Sequence, residues 1–339
     1  MRAMILRQQA SLEDNPLELV EWPAPEPGQG EVRIRVSTCG VCHTELDEIE
    51  GRLMPRMPVI LGHQVVGTIE KLGEGVQGVN VGDRVGVAWV HSACGRCEYC
   101  QKGEENLCPH FQATGSDAHG GYGELMTAPV AFVYPIPDTF SDAQAAPLLC
   151  AGAIGFRSLR LTKLENGQNL GLMGFGASAH LVMQLARHMY PASNVFVFAR
   201  DEKGRAFAQE LGAAWTGEIQ AQAPAPLHAI IDTTPAWEPV VMAMQNLAPG
   251  GRLIINAIRK EDADKEALLN LHYSEHLWRE KEIKSVANVT RFDVSEFLRI
   301  AAEIPIQPAV EEYSLEDANR ALLELKSGHI RGAKVLKVS

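Results

Sequence analysis

Residues 169–190 read NLGLMGFGASAHLVMQLARHMY. The apolar run that ends at Met173 predicts a short buried strand, and the residues from Ala179 onward predict a helix. Between the two lies a G-x-G-x-x-A turn formed by Gly174, Gly176 and Ala179. The glycines permit a tight turn and let a pyrophosphate approach the helix N-terminus closely. Because the turn follows a predicted strand and opens a helix, we interpret it as a dinucleotide-binding turn rather than an ordinary strand-to-helix connection.

Strands and helices alternate on both sides of this turn. Helices are predicted over 152–161 and over 203–212, where Gly212 stands at a C-cap position. Further strands, all expected to be buried, are predicted at 195–199, 228–232, 252–257 and 283–287. Alternation of this kind predicts an α/β domain with a doubly wound parallel sheet, which we place at residues 151–294.

The residues before this domain have a different pattern. Residues 1–150 lack helical periodicity and contain short β-type runs at 31–40, 65–73, 83–89 and 121–129. Short strands with turn residues between them predict a folded-over β-barrel or sandwich. After the α/β domain, a helix near 315–326 and a strand at 334–338 are predicted. With 339 residues in all, two domains are expected.

The composition excludes several classes of partner. The formal net charge is −11 and no run of basic residues occurs, which argues against nucleic acid and anionic membrane surfaces as partners. No window of about 18 uninterrupted apolar residues is present, and the apolar core of MRAMILRQQA is too short for a signal peptide. A cytoplasmic protein is therefore expected. Seven cysteines in a reducing compartment favour metal binding over disulfides.

Four of the cysteines form one cluster with the spacing C-x₂-C-x₂-C-x₇-C, namely Cys94, Cys97, Cys100 and Cys108. Short loops of this length let neighbouring thiolates bind one tetrahedral zinc ion. An iron–sulfur cluster is the alternative that the spacing leaves open, and zinc is favoured because a closed four-cysteine zinc site is the commoner outcome. Four thiolates leave no position for a substrate, so the predicted role is structural.

A second group of candidate ligands lies in residues 39–67, CGVCHTELDEIEGRLMPRMPVILGHQVVG. A catalytic zinc takes three protein ligands and keeps one open position, and a Cys₂His set meets this requirement. Cys42, His63 and Cys150 are the chosen set. Taken alone, Cys39 and Cys150 are better explained as small buried core residues, because free cysteine is among the most buried residue types.

Five motifs occur in order along the chain: GVCHT, GH-x-x-x-G from Gly62 to Gly67, the four-cysteine cluster, LLCAG and GFGASA. In order and spacing they resemble the zinc-containing alcohol dehydrogenases of the medium-chain dehydrogenase/reductase superfamily, and the resemblance covers nearly the whole chain. It implies a GroES-like, mainly β catalytic domain over 1–150 with a zinc lobe at 91–110. It further implies a Rossmann NAD(P)-binding domain over 151–294 and a segment, 295–339, that returns to the catalytic domain.

The resemblance also assigns roles to single residues. It implies that Cys42, His63 and Cys150 bind a catalytic zinc and that the four-cysteine cluster binds a structural zinc. Cys39 matches a position that is not a ligand. Thr44 matches the hydroxyl that relays the proton of the alcohol.

Several positions depart from the family pattern without touching the ligand set. Glu45 stands where the family usually has Asp, and its carboxylate is still expected to accept a hydrogen bond from the His63 imidazole. Asp47 replaces a histidine that often passes the proton to solvent, and it is a candidate for the same relay. Gln64 replaces a glutamate near the zinc, and Ile154 replaces a threonine that often packs on the nicotinamide.

The residues that follow the strand at 195–199 discriminate between the two coenzymes. An acidic residue at the strand end would bind the ribose hydroxyls, whereas an arginine accommodates a 2′-phosphate. Ala199 occupies the usual acidic position and Arg200 follows it, so NADP is expected to be preferred over NAD. A solvated surface Arg200 and a ribose contact from Asp201 are the alternatives. Lys203 and Arg205 are candidate auxiliaries.

Two further side chains are assigned by the resemblance. His43 matches a basic residue that contacts the coenzyme pyrophosphate, with a polar loop histidine as the alternative. Trp89 matches an aromatic residue that lines the substrate pocket of similar bacterial enzymes, with core packing as the alternative.

The function that the resemblance implies is hydride transfer between an alcohol or aldehyde and NADP(H), with two zinc ions per chain. A catalytically silent redox sensor that binds zinc and a dinucleotide is one alternative, and a reductase of another carbonyl class is the other. A homodimer or homotetramer formed through the coenzyme domain is also implied.

Overall fold

Apolar runs separated by Gly and Pro form the strands of the first unit of the structure, Met1–Ala153 together with Val289–Ser339. The computed structural model describes residues 1–304, 306–328 and 332–339. In chain order, the strands up to residue 135 are β1 (Arg2–Leu6), β2 (Leu17–Glu21), β3 (Glu31–Val41), β4 (Val59–Ile60), β5 (Val65–Leu72), β6 (Arg84–Val87), β7 (Val90–Ser92), β8 (Gln112–Ala113), β9 (Leu125–Pro129) and β10 (Val133–Pro135). The helices of this part of the chain are α1 (His43–Ile49), α2 (Glu98–Gln101) and α3 (Asp142–Ala145). Helices of four to seven residues are too short to show periodicity, so the sequence did not predict them.

Helix α4 (Ala151–Thr162) leads into the second unit, Ile154–Asn288. The strands that follow are β11 (Leu170–Met173), β12 (Val195–Phe198), β13 (Trp215–Gly217), β14 (Leu227–Asp232), β15 (Leu247–Ile255) and β16 (Glu282–Ser285). The helices among them are α5 (Ala177–Met189), α6 (Glu202–Glu210) and α7 (Glu238–Asn246). The strands pair in parallel in the order β13-β12-β11-β14-β15-β16. This confirms the predicted doubly wound parallel sheet.

The strand order of the second unit reverses at β11. From β11 the chain proceeds outward through β12 and β13, and it then returns to form β14 on the other side of β11. Leu172 lies opposite Val197 on one side and Ile231 on the other, and all three are fully buried. In a sheet of this kind, ligands bind outside the carboxyl ends of the strands at the point of reversal.

The predicted burial of the strand at 283–287 was wrong. The strand occupies Glu282–Ser285, and all four of its residues are exposed. Within the described residues it pairs only with β15, so it is an edge strand with no neighbour to cover it. The run of apolar residues in the sequence does not distinguish an edge strand from a central one.

The C-terminal part of the chain completes the first unit with α8 (Arg291–Glu303), β17 (Val310–Ser314), α9 (Ala318–Lys326) and β18 (Ala333–Lys337). Its main sheet has the order β10-β6-β5-β3-β18-β17, with β9 also paired to β3, and smaller sheets are formed by β2-β1-β4 and by β7-β8. Strand β18 is antiparallel to β3, with Leu336 opposite Cys39. Alternate residues of β3, Val32, Ile34 and Val36, are fully buried, and each contributes about 1.5–3 kcal/mol by burial.

In the part of the chain that the structure describes, no helix combines the length and the apolar character needed to cross a membrane.

Candidate active site and metal centres

The junction of β3 and α1 positions the first candidate metal ligand. Strand β3 ends at Val41, and Cys42 is the N-cap residue of α1. Glu45 is the third residue of the helix, and its Oε2 accepts a hydrogen bond of 2.9 Å from the backbone N–H of Cys42. This is the backward bond of a capping box, and it fixes Cys42 relative to the helix.

His63 follows β4 in a segment whose backbone path depends on glycine. Gly62 has a φ of +97°, and a Cβ at this position would lie 2.4 Å from Cδ1 of Tyr122. Glycine alone combines this conformation with such a close approach. The Nδ1–H of His63 donates to Oε1 of Glu45 at 2.6 Å, which is the hydrogen bond expected from the sequence. Both side chains are buried. Nε2 is therefore the ring nitrogen left for a metal.

Cys150 brings the third candidate ligand to the same point. It follows the 3₁₀ turn Ala146–Leu149 and stands directly before α4. Its Sγ is 3.3 Å from Nε2 of His63, and the ligand atoms of Cys42, His63 and Cys150 all lie within 4.8 Å of one another. Ligand atoms about 2.0–2.3 Å from a tetrahedral zinc ion stand roughly 3.3–3.8 Å apart, so the three side chains fit one ion.

The charges within this cluster favour a thiolate. The hydrogen bond with Cys150 and the neighbouring His63 lower the pKa of the Cys42 thiol well below its usual value. Burial alone would lower the pKa of His63, but Glu45 and Cys42 outweigh it and raise that pKa. The contact with Cys42 and burial raise the pKa of Cys150. The cluster therefore holds one readily formed thiolate and groups that release protons when a metal binds.

Thr44 and Asp47 lie on α1 beside the cluster. Thr44 is buried, and its Oγ1 is 3.7 Å from Sγ of Cys42. Asp47 is 2% exposed and accepts a hydrogen bond of 2.5 Å from Nε of Arg52. The helix thus places a hydroxyl next to the ligand group and a paired carboxylate about one turn further along.

Cys39 and Gln64 lie in the neighbouring core. Cys39 is fully buried on β3, and burial raises the pKa of its thiol well above the usual value. Gln64 is buried as well, and its Oε1 would lie 2.6 Å from a Cβ placed on Gly40. Both side chains are used in packing.

The four-cysteine cluster forms a second convergent group. The Sγ atoms of Cys94, Cys97, Cys100 and Cys108 all lie within 4.8 Å of one another, with those of Cys97 and Cys100 3.5 Å apart. Hydrogen bonds from the backbone N–H groups of Arg96 and Cys97 lower the pKa of Cys94 to about 6. Burial and the Cys97 thiol raise the pKa of Cys100 to about 12. Four thiolates at neutral pH therefore require a cation among them, which fits a zinc ion with four sulfur ligands.

The glycine turn of the second unit lies between β11 and α5, at the reversal of strand order. Gly174 has a φ of +83°, and Gly176 is the N-cap residue of α5. A Cβ on Gly176 would meet no atom of the described residues within 4 Å, whereas Ala179 is fully buried. The first N–H groups of a helix have no partner within the helix, and the open space beside them suits a diphosphate.

Arg200 is exposed and lies two residues after the end of β12, next to the buried Ala199. Asp201 is used locally, since its Oδ1 accepts a hydrogen bond of 2.7 Å from the N–H of Gly204 and caps α6. Arg205 donates to the carbonyl oxygens of Ala199 and Arg200 at 2.8 and 3.0 Å. Asp201 and Arg205 are thus engaged in local hydrogen bonds, whereas Arg200 is an exposed residue.

His43 and Trp89 belong to the first unit. His43 is exposed at the first position of α1, and its role toward a coenzyme stays a prediction. Trp89 is half-buried, with its ring centroid 4.8 Å from that of Phe111. Its Nε1–H is buried and has no hydrogen-bond partner among the described residues. A buried indole N–H of this kind is a donor that a bound polar group can satisfy.

The bond between Glu45 and the backbone of Cys42 was not predicted from the sequence. The signal for it is the C-x-x-E spacing, which places a carboxylate at the third position of a helix that begins after Cys42. A glutamate there reaches back to the N-cap residue.

Comparison with known proteins identifies the family. Residues 28–138 match the alcohol dehydrogenase GroES-like domain. The "Probable alcohol dehydrogenase AdhA" of Mycobacterium tuberculosis is 41% identical over 344 residues, which cover 100% of this chain and 97% of that protein. An alcohol dehydrogenase of Geobacillus stearothermophilus is 33% identical over 332 residues, covering 95% of this chain and 96% of that protein. The structure of the cobalt- and zinc-bound thermostable alcohol dehydrogenase of Pyrobaculum aerophilum has a TM-score of 0.86 and 25% identity, with 99% of both chains covered.

The parallel Rossmann sheet and the GroES-like unit place this protein among the medium-chain dehydrogenases/reductases. Within that superfamily, the chain belongs to the zinc-type alcohol dehydrogenases. The resemblance inferred from the sequence motifs and the predicted fold class are thereby confirmed.

Proposed function

We propose that the protein is a zinc-dependent alcohol dehydrogenase that reduces aldehydes in the reverse direction, with NADP(H) as its preferred coenzyme. The observation that carries the proposal is the convergence of Cys42, His63 and Cys150 within 4.8 Å, next to the buried Thr44 hydroxyl. The full-length similarity to proteins named alcohol dehydrogenases supports the reaction class.

Two metal sites are part of the proposal. Cys42, His63 and Cys150 hold a catalytic zinc, and the four-cysteine cluster holds a structural zinc. When bound, the catalytic zinc supplies Lewis acidity to the oxygen of an alcohol or aldehyde. Three protein donors leave one coordination position for that oxygen, whereas four thiolates leave none, so only the first site takes part in the reaction. The cobalt and zinc bound by the Pyrobaculum protein support metal binding.

Thr44 is proposed to take the hydroxyl proton of an alcohol and to return it when an aldehyde is reduced. A threonine hydroxyl can do both, because it donates one hydrogen bond and accepts others. Asp47 lies three residues further along α1, at a spacing where helix side chains are neighbours, and is proposed to pass the proton onward. Its partner Arg52 has a side chain that is 33% exposed, so the pair connects the buried carboxylate with the surface.

The coenzyme is proposed to bind at the glycine turn of the second unit. When bound, its nicotinamide accepts or supplies the hydride. Gly174, Gly176 and Ala179 shape the turn on which the pyrophosphate rests. Arg200 is proposed to bind the 2′-phosphate of NADP, and the use of Asp201 as a helix cap supports this preference, because that carboxylate is engaged and does not compete for the ribose.

We also propose that the protein forms a homodimer or homotetramer through the second unit. The edge strand β16 is exposed over its whole length. Large apolar side chains are exposed in the same unit, namely Ile258, Leu269, Tyr273, Trp278 and Ile283. An unpaired strand edge with exposed apolar side chains is typical of a contact with another chain. Light scattering coupled to size exclusion tests this, and a monomer at micromolar concentration would contradict it.

The reaction is tested with zinc-loaded protein and a panel of alcohols and aldehydes, using NADP(H) and NAD(H) in parallel. We expect turnover with both classes of substrate and a higher kcat/KM for NADPH than for NADH. Binding of zinc and a dinucleotide without turnover would favour the redox sensor. Turnover confined to enones or polyols would favour the other class of reductase, and a higher kcat/KM with NADH would remove only the coenzyme preference.

A further inference from the structure

A buried ion pair lies at the carboxyl end of β14. Asp232 is the last residue of this strand and is fully buried, and Lys260 lies in the segment after β15. The ammonium of Lys260 contacts Oδ2 of Asp232, and its side chain is only 8% exposed. Removing two charges from water is costly, and a buried pair adds little net stability over apolar residues of the same volume. Stability alone therefore does not explain why an ion pair is buried at this position.

The Lys260 ammonium also holds the backbone of the segment 233–237. It donates to the carbonyl oxygens of Thr234 and Ala236, each at 2.8 Å. Oδ1 of Asp232 accepts from the backbone N–H and the hydroxyl of Thr234 at 3.0 and 2.7 Å. Since an ammonium has three donors, Lys260 is fully used by Asp232 and these two carbonyls. The Lys260 ammonium thus fixes the backbone of segment 233–237 through hydrogen bonds to two of its carbonyl groups.

The same segment packs against the glycine turn. The backbone N–H and the hydroxyl of Thr233 both donate to the carbonyl oxygen of Met173, at 2.9 and 3.0 Å. A Cβ on Gly174 would lie 2.9 Å from Oγ1 of Thr233 and 3.0 Å from Cγ2 of Thr234. The two threonines thus support the residue at which the turn begins.

A second connection runs from the ion pair to the first turn of α5. The backbone N–H of Asn256 donates to the carbonyl oxygen of Asp232 at 2.7 Å. The side-chain amide of Asn256 donates to Oγ of Ser178 at 3.3 Å. Ser178 is the second residue of α5, so both ends of the glycine turn are tied to the residues around the ion pair.

We propose that Lys260 and Asp232 are positioning residues for the dinucleotide site, and that they act by fixing segment 233–237 against Gly174 and Ser178. The proposal rests on the proposed function, since it assumes that a nicotinamide dinucleotide binds at this turn. Because the ion pair has no net charge, it does not repel a diphosphate bound at the turn. A lone carboxylate at the end of β14 would repel the anion, whereas the paired carboxylate holds the loop without this repulsion.

The test compares three variants of the full-length, zinc-loaded protein. Lys260→Met removes the cation and leaves Asp232 unpaired, and the double variant Lys260→Met/Asp232→Asn removes both charges. Lys281→Met is the matched control, because Lys281 also donates to two backbone carbonyls of the same unit, those of Met244 and Glu275, at 2.7 and 3.0 Å. It stands before β16, at the amino end of the parallel sheet.

The dissociation constant for NADPH is measured by coenzyme fluorescence, with the amide hydrogen exchange of residues 173–180 as a second readout. We expect Lys260→Met to raise this dissociation constant by about tenfold, a factor within the usual range of coupling between linked sites. The same variant should speed hydrogen exchange at the turn. The double variant should fall between Lys260→Met and the wild type, and Lys281→Met should stay within about twofold of the wild type. The KM for NADPH should rise in Lys260→Met while kcat at saturating coenzyme is largely kept.

Equal dissociation constants for Lys260→Met and Lys281→Met would overturn the proposal, as would unchanged hydrogen exchange at the turn. If Lys260→Met does not fold, the double variant is compared with Lys281→Met instead. It should bind NADPH more weakly than Lys281→Met, and equal dissociation constants would overturn the proposal. A wild-type protein that binds neither NADPH nor NADH would instead refute the coenzyme assignment on which the proposal rests.

Discussion

The side-chain carboxylate of Glu45 accepts two hydrogen bonds: Oε1 accepts from the Nδ1–H of His63 at 2.6 Å, and Oε2 accepts from the backbone N–H of Cys42 at 2.9 Å. One buried carboxylate thus fixes two candidate zinc ligands that belong to different segments of the chain. A carboxylate is needed for this, since both of its oxygens are acceptors.

Replacing Glu45 by Gln should weaken zinc binding at the catalytic site by about 10–100-fold. The amide has only one acceptor oxygen, so it cannot hold His63 and Cys42 together. Competition with a chromophoric chelator measures the affinity. Glu48→Gln is the control, because Glu48 is a second buried glutamate of helix α1, and burial raises its pKa to about 9. Equal losses in the two variants would contradict the role given to Glu45.

Replacing Cys150 by Ser should lower kcat/KM by about 10³-fold or more, because Lewis acidity at this site is worth several kcal/mol. Binding of NADPH, measured by fluorescence, should be kept. Cys39→Ala is the control: Cys39 is fully buried on β3, so this variant should lose about 1 kcal/mol of stability and retain turnover. Full activity of Cys150→Ser at equal zinc content would refute the ligand assignment.

Replacing Cys100 by Ser should reduce the zinc content from two ions per chain to one. Four thiolates form a closed site, so the loss should appear as a Tm lower by several degrees, while the kcat of the folded protein is kept. Elemental analysis and thermal melts, carried out beside Cys150→Ser, separate the two sites. A wild-type protein with one zinc ion per chain would show that one of the two proposed metal sites does not exist.

Replacing Arg200 by Ala should lower kcat/KM for NADPH by about 10–100-fold, because a hydrogen bond to a charged group contributes about 1.5–3 kcal/mol. The kcat/KM for NADH should change little, because NADH lacks the 2′-phosphate. NADH therefore serves as an internal control. Equal losses with both coenzymes would show that Arg200 acts on the fold and not on the phosphate.

Replacing Lys334 by Met should lower the Tm by about 2–4 °C at pH 7, and by less at pH 3. Lys334 is 2% exposed and pairs with Glu311 and Glu324 at 2.8 and 2.9 Å. A hydrogen bond from Lys334 lowers the pKa of Glu311, and hydrogen bonds from Tyr313 and Lys334 lower that of Glu324.

The direction of this pH dependence follows from those shifts. A carboxyl group whose pKa is lower in the folded chain stabilises the fold above its unfolded pKa of about 4.5, and that contribution is lost as the pH falls through the folded value. The difference between the wild type and Lys334→Met should therefore shrink below about pH 4.5. Lys337→Met, at an exposed position of the same strand, is the control and should show no such trend. A constant difference from pH 7 to pH 3 would contradict the assignment.

Local motifs made much of this architecture predictable. The strand, glycine turn and helix around Gly174 are contiguous, so the pattern of apolar residues and glycines defines them without knowledge of the rest of the chain. The three cysteines Cys94, Cys97 and Cys100 are close in sequence, and their convergence follows from the short loops between them. The assignment of Cys150 to the same metal site as Cys42 and His63 came from the family resemblance, because no local pattern relates residues so far apart in the sequence.

Other features depend on contacts that a sequence pattern does not contain. The exposure of β16 follows from its place at the end of the strand order, which apolar runs do not specify. The pairing of Asp232 with Lys260 requires two loops to meet at the carboxyl edge of the sheet. The use of Asp201 as a helix cap was missed because the same residue also suits a ribose contact, and only the backbone geometry distinguishes the two roles.

Strand β18 lies between β3 and β17, with Lys334 opposite Val41, the residue before Cys42. Strand β3, which leads to the candidate zinc ligand Cys42, therefore acquires one of its neighbours only after nearly the whole polypeptide has been synthesised. At about 5–20 residues per second, a ribosome needs tens of seconds to reach that point after it has made β3. The continuous segment 154–288 can fold on the nascent chain during this interval, whereas the sheet that carries Cys42 is completed last. Premature termination before residue 333 should thus spare the Rossmann unit and leave the GroES-like unit, which holds the candidate zinc ligands, without strand β18.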